Sequence, residues 1–189
     1  MRVGEAKFVA ASTRPGQFPP SELPEIAFAG RSNVGKSSLL NRLTGRRALA
    51  RVSKTPGRTQ QINFFAVGER FVLVDLPGYG YARVPKAVQE DWRRLVESYL
   101  ATRRQLRAVV LIVDVRRGIE EDDQLLLDFL GDHGVRAVLV ATKIDKVGRA
   151  ELQKRLAELR SSAVLPFSSV TGEGMTELWQ VLSDAVARR

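Results

Sequence analysis

"EIAFAGRSNVGKSSLLNRL", Glu25 to Leu43, is the stretch on which the fold turns. Its opening, Ile26 to Gly30, is a short apolar run suited to a buried strand, and its close sets Leu39, Leu40 and Leu43 on one helical face. Between them lies "GRSNVGKS", a Gly, four residues, then Gly, Lys and Ser. That spacing suits a loop that wraps backbone amides around phosphate oxygens, ahead of a helix start whose unpaired N–H groups also attract anions. Gly30 and Gly35 permit close backbone approach, Lys36 reaches the outer phosphates, and the Ser37 hydroxyl is a magnesium ligand. A glycine-rich turn before an ordinary helix is the alternative. The flanking strand and helix supply the context that phosphate binding needs.

The chain has 189 residues, enough for one domain with a full core, and 1–189 is read as one nucleotide-binding domain with residues 1–22 as an extension. There is no cysteine, so disulfides and thiolate metal sites are excluded and the cytoplasm is the expected compartment. "MRVGEAKFVAAS" is too polar for a signal peptide, and no apolar run reaches the ~20 residues of a membrane helix. The formal charge of +9 and isoelectric point near 10.4 exceed what a nucleotide site requires. Arginine clusters at Arg46, Arg47 and Arg51, at Arg93 and Arg94, at Arg103, Arg104 and Arg107, at Arg116 and Arg117, and at Arg188 and Arg189. Because arginine forks onto phosphates and stacks on bases, the excess is read as an RNA-facing surface, against the alternative of a solvated surface in a composition-biased chain.

Apolar runs alternate with helical patterns. "IAFAG", "INFFAV", "FVLVDL", "AVVLIVDV", "AVLVATK" and "AVLPFSS" read as strands, and "FVAAS" as an added edge strand. Helices are marked by Val88, Trp92, Leu95, Val96, Tyr99 and Leu100, by Leu125, Leu126, Phe129 and Leu130, by Leu152, Leu156 and Leu159, and by Met175, Leu178, Trp179, Leu182 and Val186. Trp179 is read as core. "INFFAVGERFVLVDL" has no room for a crossover helix, its two runs being read as separated only by Gly68 and Glu69, so that pair is an antiparallel hairpin. The rest implies an α/β fold of three layers: a mostly parallel sheet with helices on both faces and ligands at the strand carboxyl ends.

A phosphate loop alone would serve ATPases, small-molecule kinases and GTPases equally. "DLPG" closes the third strand run, where Asp75 can hold a magnesium-bound water and the Gly78 amide can meet a terminal phosphate oxygen, a plain Pro-Gly turn being the alternative. "TKID" closes another strand. There the Asp145 carboxylate can accept from the ring N–H and exocyclic amine of guanine, a pair adenine lacks, while Lys143 lays its stem along the base. "SSVTG" presents the Ser169 amide to the guanine carbonyl. Lys143 and Asp145 as a surface ion pair is the competing reading. The four matches follow the order of guanine-nucleotide switches, each on a loop after a strand.

These residues resemble the translation-factor-class P-loop GTPases, the group that includes Era and the tRNA-modification GTPase. "AGRSNVGKSSLLN", "SKTPGRTQQINFF", "VDLPGYGYA" and "ATKIDK" are similar, more narrowly, to the EngB family of bacterial ribosome-biogenesis GTPases, over nearly the whole chain. "TPGRTQQINFF" followed by "DLPGYGYA" is the most specific element. The resemblance implies a cytoplasmic, monomeric, magnesium-dependent GTPase that assists large-subunit assembly, with an associated role in cell division and septation. It assigns Gly30, Arg31, Ser32, Asn33, Val34, Gly35, Lys36, Ser37 and Ser38 to the phosphates, and Gly57, Arg58, Thr59, Gln60 and Gln61 to the first switch, with Thr59 on magnesium. Asp75, Leu76, Pro77 and Gly78 would report the terminal phosphate. Thr142, Lys143, Ile144 and Asp145 would read the base, supported by Ser168, Ser169 and Val170. Most GTPases carry Asn where this chain has Thr142, and the shorter side chain removes an amide that ties the base loop to the phosphate loop.

The reaction implied is in-line attack of water on the terminal phosphoryl group, with Lys36, Thr59, Gly78 and Asn33 as the catalytic set. Many GTPases orient the water with a glutamine just after the "DxxG" turn. This chain has Tyr79 instead, so intrinsic hydrolysis is expected to be slow, and the glycine-spaced "GYGYARV" is read as a loose, flexible segment that changes conformation with nucleotide, an aromatic loop packed on the following helix being the alternative. In related potassium-activated GTPases an Asn at the position of Asn33 helps hold a monovalent cation, which makes potassium an expected activator. A metabolite kinase would need a lid and acceptor pocket that the sequence does not display. A GTP-dependent binding module for RNA or a division protein, without significant catalysis, is the remaining alternative. His133, the single histidine, falls in a turn after a helix and is given no catalytic role.

Overall fold

The computed structural model describes residues 6–46, 49, 61–80, 86–159 and 164–187, with the side chains of 86–89 and 92 left out. In chain order the elements are β1 (Ala6–Ser12), β2 (Glu25–Gly30), α1 (Lys36–Thr44), β3 (Ile62–Val67), β4 (Phe71–Asp75), α2 (Lys86–Thr102) and β5 (Leu106–Asp114). They continue with α3 (Glu121–Asp132), β6 (Ala137–Thr142), α4 (Arg149–Glu158), β7 (Leu165–Phe167) and α5 (Met175–Ala187).

The described strands form one seven-stranded sheet in the order β1-β3-β4-β2-β5-β6-β7. β3 alone runs against its neighbours: it pairs antiparallel with both β1 and β4, while β4, β2, β5, β6 and β7 pair in parallel. The β3–β4 hairpin is as expected, although its turn takes Gly68, Glu69 and Arg70, one residue more than the sequence reading allows, because Val67 pairs directly with Phe71. β7 is shorter than its apolar run and ends at Phe167, where the chain turns into the Ser168 loop.

The period-two rule explains the layers. In β2, Ile26 and Phe28 join the core beneath α1 and α5, with Leu39, Leu40, Leu43, Leu178, Trp179 and Leu182. Ala27 and Ala29 point the other way, into a core shared with Leu95, Val96, Tyr99 and Leu100 of α2 and Leu130 of α3. Two apolar faces on every central strand are what a parallel sheet covered on both sides requires. Trp179 is buried and meets Phe71 edge-on at 6.1 Å, consistent with its reading as core. Among the described residues no helix is long and apolar enough to cross a membrane.

At the amino ends of the parallel strands, away from the phosphate loop, Glu25 is fully buried. It is held by Arg103, whose Nη2 donates to Glu25 Oε1 at 2.6 Å and whose Nε lies 3.0 Å from Oε2. The Tyr99 hydroxyl donates to Oε2 at 2.8 Å, and Arg103 Nη2 also reaches the Pro19 carbonyl at 2.7 Å. This corrects the grouping of Arg103 with Arg104 and Arg107 as a phosphate contact: its guanidinium is a largely buried counter-charge. Arg116 and Arg117 are likewise paired, with Asp114 and Glu120. Arg93, Arg94 and Arg104 are exposed, whereas Arg47, Arg51, Arg188 and Arg189 lie outside the described residues.

Candidate nucleotide site

The loop of residues 31–35 leaves the carboxyl end of β2, the central strand between β4 and β5, and feeds α1. Gly30 is required by close approach: a Cβ there would lie 2.6 Å from the Ile112 carbonyl oxygen on β5 and 3.0 Å from Val34 Cγ2. Gly35 caps α1 with φ +105°, a conformation that L side chains avoid. The first α-helical bond runs from the Leu39 N–H to the Gly35 carbonyl, so the N–H groups of Lys36, Ser37 and Ser38 have no acceptor within the helix. The Ser32 hydroxyl oxygen is buried without a hydrogen-bond partner among the described residues. A cradle of unpaired donors around a glycine-lined turn is the donor set that phosphate oxygens satisfy.

β4 delivers Asp75 beside this loop, where its carboxylate pairs with the Lys36 ammonium. Leu76 and Pro77 are buried, and Gly78 lies against the loop, an added Cβ being 3.5 Å from the Gly30 oxygen and 3.6 Å from Ser32 Cα. The Ser32 N–H donates to the Tyr79 carbonyl at 2.9 Å, joining the two segments directly. The reading of "GYGYARV" as a loose segment is corrected at its start: Tyr79 is buried, and its hydroxyl donates to Asp123 on α3 at 2.6 Å. Residues 81–84 of that segment lie outside the described residues. So do Gly57, Arg58, Thr59 and Gln60. Gln61 is described and donates to Asn63 Oδ1 at 2.9 Å.

β6 delivers the "TKID" loop to the same end of the sheet. Thr142, its last residue, is buried, and its hydroxyl donates to the Val34 carbonyl in the phosphate loop, with the Val113 carbonyl a second acceptor at 3.0 Å. The expected loss of the tie between base loop and phosphate loop is thereby overturned, since the hydroxyl spans the gap that an amide would span elsewhere. Replacing Thr142 with the isosteric valine removes this buried link between the loops. A roughly three- to tenfold loss of nucleotide affinity is expected in a fluorescent-nucleotide titration.

Lys143 sits in the left-handed region, φ +61°, and its ammonium donates to the Asn33 carbonyl and pairs with Asp114 at 3.0 Å. Asp145 is not its partner, so the surface-pair alternative fails. Asp145 Oδ1 instead accepts from the Ser168 hydroxyl at 2.6 Å. Ser168 Oγ in turn accepts from the Val170 and Thr171 N–H groups, each at 3.2 Å, fixing the loop that carries Ser169. The Ser168 hydrogen bond, outweighing modest desolvation, holds the Asp145 carboxyl below its usual range, so it stays an acceptor near neutrality. Ile144 is buried beneath the loop, and Asn33 is exposed with φ +64°.

Asp114 belongs to the site although no motif in the sequence singles it out. It is buried at the carboxyl end of β5, and although burial opposes its charge, hydrogen bonds from Arg116 and Lys143 bring its pKa down to about 2. It anchors Lys143 from below, and its only sequence signal is a carboxylate closing the apolar run "VVLIVD". Among the described residues no three His, Cys, Asp or Glu side chains cluster as a metal cage. Ser37 and Asp75 offer the hard oxygen donors that suit magnesium, an ion commonly held by one or two protein oxygens plus substrate phosphates. His133 is exposed, ends α3 and stacks on Phe129 at 4.0 Å, away from this loop cluster.

Comparison with known proteins places these features in one family. The family described as 50S ribosome-binding GTPase matches residues 25–143. The "Probable GTP-binding protein EngB" of Geobacter metallireducens is 52% identical over 185 residues, 95% of this chain and 91% of that protein. That of Solibacter usitatus is 51% identical over 187 residues, 98% of each. A crystal structure of a probable GTP-binding protein engB superposes with TM-score 0.71 at 28% identity, covering 87% of this chain and all of that one. A variant of Aquifex aeolicus Era bound to GDP.AlF4- shares the fold, with TM-score 0.73 at 20% identity over 89% of this chain and 58% of its own. With its phosphate loop, "DLPG" turn and "TKID" loop gathered at one end of the sheet, the chain belongs to the EngB family of GTP-binding proteins, P-loop GTPases of the α/β class.

Proposed function

We propose that this protein binds GTP, hydrolyses it slowly to GDP, and uses the two states to attach to and leave the large ribosomal subunit during its assembly in the bacterial cytoplasm. The observation that carries the nucleotide reading is the bonding of the "TKID" loop onto the phosphate loop through Thr142 and Lys143. This bonding supports the reading of Asp145 as the carboxylate that meets guanine while the phosphate loop holds the phosphates. Asp145 accepts from the two guanine donors, Ser169 donates to the guanine carbonyl, and Lys143 covers the base. The N–H groups of Lys36, Ser37 and Ser38 and the Lys36 ammonium take the phosphate charge, and the Gly78 amide meets the terminal phosphoryl group. Ser37, Thr59 and, through water, Asp75 would hold magnesium, which supplies charge neutralisation between the outer phosphates when bound. Tyr79 cannot orient the attacking water while its hydroxyl is given to Asp123, which supports slow turnover. Asn33 is the residue for a potassium ion, tested by turnover in potassium against sodium.

The whole chain is read as one nucleotide-binding domain, because a single sheet takes strands from Ala6 to Phe167, and the protein is read as a monomer. The ribosomal partner is supported by the family description and by the charge of +9. A role in cell division and septation accompanies it in this reading. Cosedimentation with separated subunits, comparing a non-hydrolysable GTP analogue with GDP across a salt series, tests the proposal. Binding to the large subunit in the GTP state is expected. Neutralising the exposed Arg93, Arg94 and Arg104 should lower the salt slope by roughly 0.7–0.9 for each phosphate that is no longer neutralised. Equal binding to both subunits, indifferent to nucleotide, would leave charge attraction alone. Subunit binding without stimulated hydrolysis would favour the binding-module alternative.

A further inference from the structure

The first turn of α3 grips the phosphate site at two points. Asp123 is buried, and its carboxylate serves two donors: Oδ2 accepts from the Glu120 N–H at 3.0 Å, closing a capping box on the helix, and Oδ1 accepts from the Tyr79 hydroxyl at 2.6 Å. Beside it, Asp122 and Glu120 hold the Arg31 guanidinium at 2.9 and 3.3 Å. Arg31 and Tyr79 follow Gly30 and Gly78 in the chain, form a parallel bridge, and are joined by the Ser32 N–H to Tyr79 carbonyl bond. An acidic helix start thus fixes both the entrance of the phosphate loop and the residue after the "DLPG" turn.

A tyrosine on a glycine-flanked loop would ordinarily be free to swing with it. Here the ring is seated in the core between sheet and helices, and burial followed by the neighbouring Asp123 charge drives its ionisation far upward, so the hydroxyl remains a donor. The Asp123 pKa is itself raised, chiefly by burial, which makes its carboxylate a stronger acceptor for the Tyr79 proton.

We propose that the Tyr79 hydroxyl, captured by Asp123, is a positioning group that sets the Gly78 amide for the terminal phosphoryl group and so makes the site favour GTP over GDP. The inference rests on the reading of Gly78 as the residue that faces that phosphoryl group. Once the hydroxyl is released, Gly78 samples positions away from the phosphate, and the triphosphate alone loses affinity because the diphosphate never reaches this turn.

The test is the ratio of affinities for a non-hydrolysable GTP analogue and GDP, measured on purified full-length variants. Tyr79→Phe keeps the buried ring and removes only the hydroxyl. It is expected to weaken the GTP analogue roughly fivefold while leaving GDP unchanged. Asp123→Ala should shift the ratio likewise, and the double variant should match Asp123→Ala, because the hydroxyl acts through that carboxylate. An unchanged ratio in Tyr79→Phe, equal weakening of both nucleotides, or additive effects in the double variant would each overturn the proposal. Gly78→Ala separates it from the reading beneath it, since the added methyl meets only ordinary contacts at 3.5 Å. Selective loss of the GTP analogue in Gly78→Ala without loss in Tyr79→Phe rejects the positioning role alone. No loss in either rejects the placement of Gly78 as well.

Discussion

Asp145→Asn is expected to reduce GTP affinity by about a hundredfold and to transfer preference toward xanthine nucleotides. A carboxylate accepting from both guanine donors makes charge-assisted hydrogen bonds of about 1.5–3 kcal/mol each. Asparagine keeps one acceptor and turns a donor toward the exocyclic amine, so one bond is lost and two donors oppose each other. A loss of about 3 kcal/mol follows, roughly two orders of magnitude. Xanthine has a carbonyl in place of that amine and accepts from the new amide. The variant should fold normally, because Asn Oδ1 can still accept from the Ser168 hydroxyl that holds Asp145 at 2.6 Å. Competition titrations with GTP, XTP and ATP check the result, and an unshifted preference would remove Asp145 from base contact.

The second large effect lies at the other end of the sheet. Arg103→Ala should destabilise the protein by about 3–5 kcal/mol, because it strands a fully buried Glu25 carboxylate with only the Tyr99 hydroxyl as side-chain partner among the described residues. For a chain of this size that corresponds to a fall in Tm of roughly 10 °C. The double variant Arg103→Met with Glu25→Met should recover part of the loss, since an apolar pair costs no ionic desolvation while the buried Tyr99 hydroxyl gives up its carboxylate acceptor. Thermal unfolding of the three proteins distinguishes a buried counter-charge from a surface cation. RNA affinity per folded molecule, with its salt slope, should be unaltered in Arg103→Ala, in contrast to the Arg93, Arg94 and Arg104 variant.

Topology and the placing of the loops are written in local patterns. Alternation in "IAFA" and the helical spacing of Leu39, Leu40 and Leu43 foretell which side of the sheet each residue enters, because side-chain direction follows backbone period. The hairpin, the parallel strands and the gathering of "GRSNVGKS", "DLPG" and "TKID" at the strand carboxyl ends follow from the same periodicity. Trp179 in the core is legible for the same reason.

Pairing, by contrast, is settled by packing alone. Nothing in the spacing of Glu25 and Arg103, or of Tyr79 and Asp123, announces a partner 78 or 44 residues away. A charge looks the same in sequence whether it faces RNA or a buried carboxylate. Thr142 looks like a lost tie when its length is compared with asparagine in isolation, whereas the approach of β6 to the phosphate loop brings the Val34 carbonyl within reach of a hydroxyl. Along the chain Lys143 has Asp145 as its neighbouring carboxylate, but its left-handed backbone turns the ammonium inward to Asp114 and Asn33. Period and propensity act over a few residues, and the chemistry of this site depends on groups that only the packed sheet brings within hydrogen-bonding reach of one another.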